Sequence, residues 1–265
     1  MKTIVLVILL LGFAIPLWAG SEIKARLEST SSKVAWVEMD ALVENGHARI
    51  NLNGPMTRGS LIYDQKTSEI TLVDDLNKSV IPVSETTQTA LKMMGFMASS
   101  QLKDQMESAP ASARLAFHLA EANAQALLNG NPALSRKKVR MDGFSCDLYE
   151  TNGTGGKLRE IWMAPREATG ISSVDYDTLW SLTQLVLGLV GRELSQLGAD
   201  TTPFLQGYSN LQFPIHAALY ANGKISSRFK ILSISQRSLE PGIFDSPAGY
   251  QTLGLMGLIQ QGMRQ

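Results

Sequence analysis

The chain has one cysteine, Cys146, in 265 residues. An intrachain disulfide is therefore excluded, and the fold has to be held by burial of apolar surface. A lone cysteine of this kind is most often a small buried hydrophobe. Histidine is almost as scarce. His47, His118 and His216 do not fall at metal-ligand spacing, so no metal site is expected. An excess of charge is missing too: 24 Lys and Arg stand against 24 Asp and Glu. A balance this even gives no electrostatic basis for holding nucleic acid, and no polybasic segment marks an anionic membrane surface.

The first residues carry a run without any charge. Lys2 precedes an apolar stretch from Ile4 to Trp18, followed by Ala19, Gly20 and a return to polar sequence at Ser21. This is the layout of a secretory signal peptide, with Leu17 and Ala19 at the −3 and −1 positions. A membrane-spanning helix needs about 20 apolar residues, and Pro16 sits near the end of this run. The expectation is a signal peptide over residues 1–19 and a single domain over residues 20–265. The mature protein would be periplasmic or secreted rather than integral to a membrane.

Beyond the leader, short extended segments recur at about ten-residue spacing, with turn residues between them. Residues 33–39 and 48–52 flank Asn45-Gly46, a strong hairpin signal. Residues 59–64 and 69–74 form a second candidate hairpin, and 79–83 a further strand with Pro82 near its end. The period then changes. Residues 86–106 and 110–128 carry apolar residues at helical spacing, and Asn129 to Pro132 ends the second helix. Strands return at 138–143, 145–150 and 159–164. A third helix is predicted over 175–197, with Asp175 or Asp177 as its cap, and strands follow at 213–220 and 225–235. The pattern is one α+β domain built on an antiparallel meander.

Catalytic motifs are tested and fail. Residues 151–158 read TNGTGGKL, but a Walker loop needs Ser or Thr after Gly-Lys, an earlier glycine where Thr151 stands, and a following helix. Lying between two strand-like segments, these glycines fit a hairpin turn. Gly143 to Asp147 begins like a hydrolase elbow and then places Asp147 where the second glycine belongs. Asp74-Asp75 sits in a turn, where aspartate bonds locally. No catalytic residue and no cofactor is expected.

The apolar helices are more informative. Residues 179–190 are apolar nearly all round, and Met93, Met94, Phe96 and Met97 form a polarizable stripe. Such residues suit either an ordinary core or the wall of a cavity for an apolar ligand.

A closing phrase, Phe244-Asp245-Ser246-Pro247-Ala248-Gly249-Tyr250, together with residues 61–83, Gly143 to Tyr149 and Glu160 to Ala164, resembles exported bacterial proteins related to the LolA/LppX-like lipoprotein carriers. The resemblance implies a curved antiparallel β half-barrel with helices packed in its concave face, the space between them taking acyl chains. It implies no catalytic residue. The expected function is a periplasmic binding protein for a lipid or other apolar ligand, with an envelope protein–protein interaction module as the alternative. Trp36, Tyr63, Met93, Met97, Trp162 and Trp180 are the expected apolar lining.

Overall fold

The computed structural model describes residues 20–29, 36–55, 57–83, 133–153, 156–196 and 211–254; the side chains of 57 and 187–196 are not described. The predicted helices at 86–106 and 110–128, and Met93, Met97 and His118 with them, lie outside the described residues, as does the leader.

Six strands come first: β1 (Gly20–Ser29), β2 (Trp36–Glu44), β3 (His47–Gly54), β4 (Thr57–Asp64), β5 (Glu69–Asp74) and β6 (Ser79–Val83). Next are β7 (Ala133–Met141), β8 (Phe144–Gly153) and β9 (Gly156–Pro165), a short helix α1 (Arg166–Thr169) and a long one, α2 (Ser173–Gln196). The last strands are β10 (Gln212–Ala221), β11 (Lys224–Arg237) and β12 (Gln251–Thr252). All twelve join in one open sheet, ordered β12-β6-β5-β4-β3-β2-β1-β11-β10-β9-β8-β7. Every pairing is antiparallel except β12 on β6.

Local chemistry explains the reversals. Asn45 and Gly46 take φ of 50° and 86°, and Asn222 and Gly223 take 53° and 72°. Two successive left-handed residues match the twist of the flanking strands, which is why Asn-Gly closes two-residue hairpins. The TNGTGGKL stretch reverses β8 into β9, with Gly153 paired to Gly156. Its lysine is committed elsewhere: Lys157 Nζ is 2.6 Å from Glu150 and also donates to Glu160. Those two bonds hold its pKa above the usual lysine range.

Bulges interrupt the ladder at Leu232 on β11, where Lys24 and Ala25 pair with Ser233 and Ile231, and at Ile215 on β10. Each extra residue bends its strand and increases the local twist. The segment from Phe244 to Tyr250 is tied down by a second, smaller cluster. Ile62, Val73 and Val80 pack with Phe244 and Tyr250, and Tyr250 Oη donates to Asp75 at 2.8 Å. The closing phrase of the sequence thus clasps the β4–β6 end of the sheet.

The main core lies on the sheet face that α2 covers. Ser172 caps that helix, its Oγ accepting the Asp175 amide at 3.1 Å and its carbonyl the Tyr176 amide at 3.0 Å. The helix therefore begins at Ser173, two residues before the predicted start, because the serine and not Asp175 or Asp177 satisfies the free amides of the first turn. Buried Ser21 on β1 donates to Asp175 Oδ2 at 2.7 Å. Gln65, in the β4–β5 turn, bonds Thr178 and Ser181 at 3.0 and 3.1 Å. Tyr176 Oη donates to the Gln212 carbonyl at 2.8 Å, and burial pushes its pKa up to about 12, so it stays a neutral donor.

Candidate functional site

α2 does not sit flush on the sheet. Between them is a cavity of about 420 Å³. Its helical wall is Leu179, Leu182, Thr183 and Val186, which share one stripe of the helix by their spacing of three, four and seven. The sheet side is made by alternate residues of successive strands. They are Ile23 and Ala25 on β1, Met39 and Ala41 on β2, Ile50 and Leu52 on β3, and Leu61 on β4. Phe213 on β10 and Phe229 and Ile231 on β11 complete it. Side chains of a strand alternate between faces, so these positions fall two apart.

Thirteen of these lining residues are apolar; Thr183 is the exception. Its hydroxyl already donates to the Leu179 carbonyl at 2.7 Å, back along its own helix. The wall thus offers no charge and no uncommitted hydrogen-bond donor among the described residues. Its volume falls within the range of small-molecule pockets, about 300–1,000 Å³.

Of the residues expected from sequence, Met93 and Met97 lie outside the described residues, and the four that are described stand around this cavity rather than in its wall. Tyr63 is buried in the main core, and burial raises its pKa; Trp180 packs against the same core from α2. Neither is among the lining residues. Trp36 pairs with Glu28 and lies under the Arg26 guanidinium at 5.3 Å. Trp162 pairs with His216 and meets it edge-on at 4.9 Å. Trp36 alternates with the lining position Met39 and so faces away from the cavity, while Trp162, paired with Leu148 and His216, also packs against the main core. Sequence reasoning missed the small and unbranched residues that make the room, Ala25, Ala41 and Met39. The usable signal was their alternation with Lys24, Arg26, Glu38 and Asp40.

The described residues contain no group of His, Cys, Asp and Glu able to hold a metal. Cys146 is fully buried, and burial raises its thiol pKa to about 11, with Asp142 and Asp147 adding to the effect. At pH 8, three units lower, only about one thiol in a thousand is ionised. Native protein is therefore expected to react with a disulfide reagent at pH 8 far more slowly than urea-unfolded protein. Equal rates in the two states would mean that the thiol is open.

Together these features define an α+β protein with one open sheet and an apolar cavity beneath a helix. Solved structures of similar shape include a conserved protein from Thermus thermophilus, described as uncharacterized (9% identity, 90% of this chain and 91% of that one, TM-score 0.41). MucB in complex with MucA(peri) is another (12% identity, 89% of this chain, TM-score 0.37), and this chain spans only 57% of its length. They also include the LolA superfamily protein NE2245 from Nitrosomonas europaea (9% identity, 88% and 92%, TM-score 0.27), from the superfamily whose carriers the sequence resembles. No protein-family model matches this chain. No curated protein matches it either. All the TM-scores lie below 0.5, and the reading of the cavity rests on its geometry alone.

Proposed function

We propose that the chain is an exported, non-catalytic binding protein for a lipid or another apolar ligand, held between the sheet and α2. In this reading residues 1–19 are a cleaved signal peptide, the rest is one domain, and α2 packs in the concave face of a curved half-barrel. The observation that supports it is the cavity: about 420 Å³ walled by apolar side chains, with its one hydroxyl already satisfied. Burial of acyl surface is worth about 0.8 kcal/mol per methylene. A chain of about ten methylenes thus gains roughly 8 kcal/mol before ordering costs are subtracted. No polar recognition is needed for that.

The test is to express the full chain in a bacterial host, purify it without detergent, and extract it with organic solvent for mass spectrometry. The expected result is a co-purifying lipid, an intact mass lacking residues 1–19, and saturable binding of a fluorescent fatty acid after delipidation. A dry extract with no probe binding would refute the carrier reading. If a stoichiometric protein adduct formed on cross-linking in the envelope at the same time, the interaction-module reading would replace it. β7 gives that second reading its footing, being exposed along most of its length at the end of the sheet.

A further inference from the structure

The sheet face opposite the cavity carries a second, chemically different pocket. A continuous cross-strand row runs Glu38, Arg26, Lys230, His216, Trp162 over β2, β1, β11, β10 and β9. The neighbouring row on this face runs Trp36, Glu28, Arg228, Ala218, Glu160. The bulged Leu232 opens a space of about 320 Å³ lined by Arg26, Glu28, His216, Arg228, Lys230 and Leu232. Three of these are cationic and one is a carboxylate.

Much of that charge is already matched. Lys230 lies 3.0 Å from Asp142, and Arg26 is 3.2 Å from Glu28 and 3.8 Å from Glu38. Three groups are left over. Arg228 makes no ion pair among the described residues. Arg26 Nε is shielded from solvent yet makes no hydrogen bond, its approach to Glu28 being misdirected. His216 Nδ1 is shielded as well and makes none, with Asp142 4.0 Å away. Buried nitrogens in native structures nearly always have a partner. Two such nitrogens beside a guanidinium without an ion pair, all around one space, call for an acceptor better placed than any among the described residues.

We propose that this pocket is an oxyanion site, taking the phosphate, sulfate or carboxylate group of a small ligand between Arg26, Arg228 and His216. Guanidinium groups suit this because their planar donor forks match such anions two bonds at a time. At its margins the Trp36 ring lies under Arg26, and Trp162 meets His216 edge-on. The site is independent of the apolar cavity, since the thickness of the sheet lies between them.

The proposal also fixes a pH dependence. His216 is held below the usual histidine range chiefly by burial, with Arg228 and Lys230 acting in the same direction and Asp142 and Glu160 against it. A bound anion reverses the effect of the two cations and raises the His216 pKa. By linkage, anion affinity then increases as pH falls through the His216 titration.

The experiment titrates the protein with sodium sulfate, which stays dianionic over this range, at constant ionic strength. NMR follows the His216 ring and the Arg26 Nε–H. The expected result is saturable shifts of both signals with one dissociation constant, tighter at pH 5.5 than at 7.5. R228Q should weaken binding by about tenfold, the scale of a charge-assisted hydrogen bond. Its side chain is exposed and makes no ion pair among the described residues, so the fold should not change; K230Q serves as the second variant. Parallel titrations with methyl phosphate and acetate separate a phosphate-bearing from a carboxylate-bearing ligand by which saturates first. Shifts that stay linear in sulfate, or that are the same in R228Q, would overturn the proposal and leave the nitrogens to water.

Discussion

Ala41→Trp is expected to abolish fluorescent fatty-acid binding, by at least about tenfold, while leaving the thermal midpoint unchanged or higher. In a close-packed core, inserting a large side chain forces neighbours off their rotamers and costs about 1–3 kcal/mol. Ala41 is buried on β2 but faces the cavity, so an indole there enters open space beside Met39 and Leu61. It gains contacts where the wild type has none, and it occupies the volume an acyl chain would use. Binding and stability should therefore move apart. For a domain of this size 1 kcal/mol is about 2–4 °C in the midpoint. A midpoint several degrees lower with probe binding intact would place the bound chain somewhere else and contradict the site.

Gly59→Ala is expected to cost about 3 kcal/mol or more, a loss at the high end for one added methyl. Gly59 on β4 pairs with Leu52 and Asp74, and its φ is unremarkable; the constraint is space. A Cβ there would run into the carbonyl oxygen of Val73, with Asp74 Cα 3.5 Å away. Glycine within a strand often marks such a close backbone approach. Because the obstacle is backbone, no rotamer change relieves it, and β4 must draw away from β5. That separation would loosen Ile62 and Val73, which pack under Phe244 and Tyr250. Urea unfolding should show the midpoint falling with the slope roughly unchanged. A change within about 0.5 kcal/mol, the usual range for an innocuous surface substitution, would mean that the ladder has slack there.

What could be read in advance was local. Asn45-Gly46 and Asn222-Gly223 announce their turns because few other dipeptides adopt two positive φ angles cheaply. The aliphatic run after Thr178 announces α2 by its length, since it is longer than an ordinary strand. The cavity could not be read, because it is made by what is absent. Ala25 and Ala41 leave room only in relation to Leu182 and Val186, more than a hundred residues away in the chain. Nor could the facing of Trp36 and Trp162 be read. Alternation tells which residues of a strand share a face but not which face meets the helix, and the bulges at Leu232 and Ile215 shift the parity between neighbouring strands. Large aromatic residues were the natural guess for a greasy wall, yet here Trp36 lies under the Arg26 guanidinium and Trp162 meets the His216 imidazole edge-on.

The strand order has a consequence for how the molecule is made. Each strand from β2 to β6 lies beside its immediate predecessor, and so does each from β8 to β11, whereas β1 meets β11 with Gly20 opposite Arg237. The hairpins of each stack can zip up from short loops, except β9 and β10, which are joined through α1 and α2, but the seam between the stacks pairs residues 20–29 with residues 227–237. Such a high contact-order step is slow. Until residues 224–237 leave the ribosome, β1 has a bare edge and the Ala25 wall has only one side. Assembly of the compartment beneath α2 is thereby deferred until β11 is available to pair with β1.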